Sequence, residues 1–91
     1  MQNAEISAIF DDIAEMLKLK KDNIFKIRAY QKVARAIEAL PEPVEKLAAE
    51  GRLKEIPGAG EAIIKKLTEM AATGGLGYYE GLKAELPERT A

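Results

Sequence analysis

Residues 53–67, Leu-Lys-Glu-Ile-Pro-Gly-Ala-Gly-Glu-Ala-Ile-Ile-Lys-Lys-Leu, leave this chain few ways to fold. A short apolar segment meets Pro57-Gly58-Ala59-Gly60, and an amphipathic helical pattern begins directly afterwards. Gly58 and Gly60 admit backbone angles that a side chain forbids, and they let a second backbone come close. The first N–H groups of the helix that follows have no partner inside it. Unpaired N–H groups beside glycine, at the positive end of a helix dipole, make a natural seat for a phosphate. A tight helix-to-helix turn that needs glycine for geometry alone would use the same residues, so the local pattern leaves both readings open.

The segments on either side read as helices. Ile6, Ile9, Phe10, Ile13 and Leu17 recur on one helical face, with Asn3 as the expected N-cap and Lys18, Lys20 and Lys21 at the negative end of the dipole. Asp22 or Asn23 can cap a second helix over about 24–40, whose inward stripe is Ile27, Tyr30, Val33, Ala34 and Ile37; Pro41 ends it. Pro43 suits the first turn of a third helix, with Val44, Leu47 and Ala48 inward and Gly51 closing it. A short turn or helix over 52–56 leads into the hairpin. A fourth helix spans about 60–73, with Ile63, Ile64, Leu67, Met70 and Ala71 inward, and ends at Gly74-Gly75. A last short helix is expected over 78–86, stopped by Pro87, with a frayed tail over 88–91. No segment alternates with period two. The expected fold is therefore all-α: one domain over 1–91 with its core in about 4–87, a compact bundle of four main helices, a helix-hairpin-helix turn and a short C-terminal helix.

Composition removes several kinds of chemistry. The 91 residues contain no cysteine and no histidine. That excludes a disulfide framework and makes a zinc site or a histidine-dependent nucleophile untenable. The N-terminus has neither a basic region nor an apolar run, so it does not read as a signal peptide, and no apolar run is long enough to span a membrane. An intracellular, cytoplasmic location is expected. Asp11, Asp12 and Glu15 cluster on the first helix, and Asp11 and Glu15 could share a divalent ion at their i, i+4 spacing. A solvated acidic face, which also turns DNA away from that side, is the favoured reading.

Net charge is −1, but it is laid out in blocks. Residues 1–17 hold four acids and no base; residues 18–36 hold seven bases and one acid. Local charge within a Debye length of about 10 Å governs contact with phosphates more than the total does. Arg28, Lys32 and Arg35 share one face of the second helix at i, i+4, i+7, and Lys26 lies near its start. Charge alone leaves a solvated face as open as phosphate contact, but no acid falls between Asp22 and Glu38 to neutralise these bases, and that favours contact.

Asn23-Ile24-Phe25-Lys26-Ile27-Arg28-Ala29-Tyr30-Gln31-Lys32-Val33-Ala34-Arg35-Ala36-Ile37, followed by Gly51-Arg52-Leu53-Lys54-Glu55-Ile56-Pro57-Gly58-Ala59-Gly60 and a helix ending in Thr73-Gly74, resembles the small N-terminal helix-hairpin-helix domain of the family X DNA polymerases, the polymerase beta group. The resemblance covers about residues 4–87. The polymerase palm and its carboxylates are absent, so no polymerase activity is expected. The resemblance implies a grip on the DNA phosphate backbone near gaps, nicks or single strands, without base readout, in repair or replication, with a polymerase or repair protein as a further partner. The contact set it implies is Lys26, Arg28, Tyr30, Lys32, Arg35, Lys54, Gly58, Ala59, Gly60, Lys65 and Lys66. The backbone carbonyls of Lys54, Ile56 and Ala59 match positions that hold a monovalent cation, K+ or Na+, and no other cofactor is implied. Tyr30 is read first as core, with its hydroxyl near the hairpin helix. Lys66 matches the lysine that some family members use in a 5′-deoxyribose phosphate lyase, with Lys26 and Lys54 as helpers. The chain departs from the polymerase beta pattern at Phe25, Ala62, Gly77 and Tyr78, so binding is expected ahead of catalysis. A protein-interaction module on the same fold is the third alternative.

Overall fold

In the computed structural model, which describes residues 1–86, the first two apolar stripes become α1 (Asn3–Leu19) and α2 (Ile24–Glu38). Their packing is the most extensive in the molecule. Ile6, Phe10, Ile13 and Leu17 of α1 face Ile27, Tyr30, Val33, Ala34 and Ile37 of α2, all at most 4% exposed. Burying each large side chain stabilises the fold by about 1.5–3 kcal/mol. Ser7 is buried in the same seam, where its Oγ donates to the Ala34 carbonyl at 2.8 Å. Ile9, expected inward, is only half-buried.

The remaining elements close over this pair. They are α3 (Val44–Ala49), a 3₁₀ turn (Leu53–Glu55), α4 (Glu61–Thr73) and α5 (Gly77–Glu85), with no strand among the described residues. Val44, Leu47, Leu53, Ile56, Ile63, Leu67, Met70, Leu76 and Leu82 join the same core. The stop expected at Pro87 and the tail over 88–91 lie outside the described residues.

Several helix ends differ from expectation, each for a local reason. Gln2, not Asn3, precedes α1, and its N–H bonds the Glu5 carboxylate at 3.1 Å. Asn3 instead caps α3 across the bundle: its Oδ1 accepts from Val44 N–H and its Nδ2 donates to the Glu42 carbonyl, both at 2.8 Å. Pro43 sits just outside α3 rather than in its first turn. Asn23 caps α2 as expected, accepting from Phe25 N–H at 2.8 Å, and α2 ends at Glu38. Gly51 (φ 68°) follows α3 in the left-handed conformation that ends it.

Candidate nucleic-acid interface

The hairpin is built by Ile56-Pro57-Gly58-Ala59. Ala59 N–H donates to the Ile56 carbonyl at 3.0 Å, with proline at the second position and Gly58 at φ 84° in the third. That is a turn in which the third residue must be left-handed, hence glycine. Gly60 then opens α4 without a side-chain cap, leaving the N–H groups of the first turn to other acceptors. Lys54, Gly58, Gly60 and Lys65 are exposed and Ala59 is half-buried. Glu61, also exposed, places a negative charge in that first turn.

The basic row of α2 meets this hairpin. The aliphatic stem of Lys32 lies over Gly58, its Cγ and Cδ 3.2 Å from where a Cβ would stand. Arg28, Lys32 and Arg35, with Gln31, line an open groove of about 390 Å³. The basic row therefore touches the turn itself through Lys32.

The start of α2 reaches the body of α4 through Tyr78. Lys66 Nζ lies 4.6 Å from the centre of the Tyr78 ring, and Lys26 Nζ lies 5.8 Å from the same ring. Tyr78 stacks on Tyr30 (6.2 Å between centres, 12° between planes), and Tyr30 stacks on Phe10 (5.7 Å, 23°). A column of three rings thus runs from the core to two lysines. Burial pushes the Tyr30 hydroxyl well above an ordinary phenol, and the neighbouring Tyr78 hydroxyl adds to it. Tyr30 is only 4% exposed, so it supports the site from below.

Burial also holds the Lys66 amine below the ordinary lysine range; the charge of Lys26 acts in the same direction and Glu69 opposes it. Of the two helpers expected for Lys66, Lys26 is the one whose charge acts on it. Lys26 is itself steadied by Asp22 at 3.7 Å. The Asp22 carboxyl lies below its usual range, first because Asn23 N–H donates to it and then because Lys26 and Lys20 are near. Sequence reasoning missed Tyr78 as part of this site. Its only signal was an aromatic residue just after the Gly-Gly break, at a position where the chain departs from the polymerase beta pattern it resembles.

The candidate cation ligands Lys54, Ile56 and Ala59 offer neutral carbonyls, a donor set that fits a hard monovalent ion. The Ile56 carbonyl already gives one lone pair to Ala59 N–H. Among the described residues no group of three or more Asp or Glu is placed to hold a metal. Asp12 accepts from the Tyr79 hydroxyl at 2.7 Å and Glu15 pairs with Lys18 at 3.1 Å. No helix among the described residues is long and apolar enough to cross a membrane.

An all-helical domain with a glycine hairpin, edged by lysines from two helices, belongs to the class of helix-hairpin-helix folds. The chain is a member of the helix-hairpin-helix domain family, which it matches over residues 1–76. Helix-hairpin-helix domains bind DNA, so the family points to DNA as a partner. No curated protein is similar enough to match. Helix α5, and with it Tyr78, lies beyond the matched residues.

Proposed function

We propose that this domain grips the phosphate backbone of DNA without reading bases, at gaps, nicks or single strands, in the manner of the family X polymerase domains it resembles. The observation that carries the reading is the double meeting of α2 with the hairpin helix. Lys32 lies against Gly58, and Lys26 and Lys66 share Tyr78. Phosphates bound along this edge would meet Lys26, Arg28, Lys32, Arg35, Lys54, Lys65 and Lys66, with the N–H groups after Gly58, Ala59 and Gly60. A monovalent cation on the carbonyls of Lys54, Ile56 and Ala59 would add positive charge beside the turn. Such contacts identify a backbone and carry no base information.

An NMR titration with gapped, duplex and single-stranded DNA tests the reading. Shifts centred on residues 26–35 and 56–66, strongest with gapped or single-stranded DNA and lost in Lys66→Ala with Gly58→Val, are expected. Shifts confined elsewhere would favour a protein-interaction module instead.

A second reading has its own observation, the depressed and half-buried Lys66 amine. A neutral Lys66 would attack the aldehyde carbon of an incised abasic sugar and lose water to form an imine. β-Elimination would then break the bond to the 3′ phosphate oxygen, and hydrolysis would free the lysine. Borohydride trapping on a 5′-deoxyribose phosphate substrate decides it: no Lys66-dependent adduct means no lyase.

A further inference from the structure

Tyr78 comes from α5, outside the family match, yet both amines of the site lie over its ring, Lys66 Nζ at 4.6 Å and Lys26 Nζ at 5.8 Å from its centre. Helix α5 is fastened to the rest of the bundle at several points. The Tyr79 hydroxyl donates to Asp12 at 2.7 Å, Lys20 pairs with Glu85 at 3.1 Å, and Leu82 is buried in the core. At its start, Gly77 N–H donates to the Glu69 carboxylate at 2.8 Å. Glu69 is the acid that acts on Lys66. The same helix therefore supplies the ring and ties down the acid.

We infer that Tyr78 is a positioning residue: its ring, seated on Tyr30 and carried by α5, covers Lys66 and holds the Lys26 and Lys66 amines together as one anion-binding point. The ligand rests on the DNA reading above, whereas the arrangement itself does not. The ring acts on Lys66 in two opposed ways. Its face attracts an ammonium, by about 0.5–1 kcal/mol at an exposed site. Its bulk removes water and disfavours the charged form. Burial is the leading cause of the Lys66 shift, and on this inference the Tyr78 ring, 4.6 Å from Nζ, is part of that burial. The groups that act on Lys66 are Lys26 from α2, itself paired with Asp22; Glu69 from α4; and Tyr78 from α5, whose ring rests on Tyr30. Replacing Tyr78 removes none of the other charged groups.

The test follows Lys66 directly. Lysines carrying ¹³C-methyl groups are titrated by NMR without DNA, with Lys66 assigned through Lys66→Arg. In the wild type and in Tyr78→Phe, Lys66 is expected to titrate below the exposed lysines. In Tyr78→Ala its midpoint moves up toward theirs. A midpoint unmoved in Tyr78→Ala, or moved as far in Tyr78→Phe, overturns the proposal. Should Tyr78→Ala not fold, nuclear Overhauser effects between the Lys66 side chain and the Tyr78 ring in the wild type decide, and their absence overturns it. In a parallel arm with a 5′-phosphorylated gapped duplex, Tyr78→Ala is expected to weaken binding by about two- to fivefold, the equivalent of one cation–π contact. Failure of the DNA reading appears separately, as no binding by the wild type.

Discussion

Two helices end on the same device with different residues. After α1, Asp22 N–H donates to the Leu17 carbonyl at 2.9 Å, with Lys21 at φ 58°; after α3, Arg52 N–H donates to the Leu47 carbonyl at 2.8 Å, with Gly51 at φ 68°. Glycine suits that conformation and lysine is strained in it. Lys21→Gly is therefore expected to stabilise the domain by about 0.5–1 kcal/mol, read from urea unfolding. Gly58→Ala has the opposite sign. Its φ of 84° strains any side chain, and the new methyl would push on the Lys32 stem. A loss of about 1–2 kcal/mol is expected, together with weaker DNA binding, because Lys32 must leave its place beside the turn. Gly58 could be picked out from the sequence because Pro-Gly before a helical pattern demands a turn. Lys21 could not, because nothing local distinguishes a lysine at a helix end from one forced into the left-handed region.

Among the elements, the least legible connection is the one that holds α3 and the 3₁₀ turn together. Arg52 bridges Glu42 at 3.1 Å, Glu55 at 3.0 Å, and Glu50, while Lys46 takes the other oxygen of Glu42 at 2.9 Å. Lys46 first, then Arg52, holds the Glu42 carboxyl below its ordinary value of 4.5; Arg52 does the same for Glu55. Both groups are depressed in the fold, so their stabilisation is present above 4.5 and is lost as pH falls through the lower, folded-state values. Arg52→Met should lower Tm at neutral pH, and the difference from wild type should shrink in acid, as thermal melts across that range would record. A gap that stayed constant would mean the arginine acts by packing alone. Asn3 belongs at this scale too. Asn3→Ala removes the cap of α3 and is expected to cost about 1 kcal/mol, although position 3 lies in a different helix. Periodicity revealed the helices because each buries a stripe of its own residues. It could not reveal Asn3 or Arg52, whose partners are set by how distant segments pack. The same limit hid Tyr78: its ring reaches the lysines only because α5 folds back onto α1.

At the scale of the whole molecule, a chain of net charge −1 is asked to hold a polyanion. The fold makes this feasible by separating the charges. The carboxylates of α1 are partly spent on Tyr79 and Lys18, and the α2 bases run beside the hairpin toward Lys66. Not every base is then equivalent. Lys18 pairs with Glu15 and Lys20 with Glu85, whereas Lys32 lies against the turn. Binding to gapped DNA should fall steeply with salt, and the slope should count only the bases that meet phosphates. Lys32→Ala is expected to reduce the log–log slope by about 0.9 on duplex and about 0.7 on single-stranded DNA. Lys18→Ala changes the net charge by the same amount and should leave the slope where it was. Equal reductions in both variants would mean that overall charge, rather than the α2–hairpin edge, sets the affinity. An unchanged slope in Lys32→Ala alone would move the phosphate path away from Gly58.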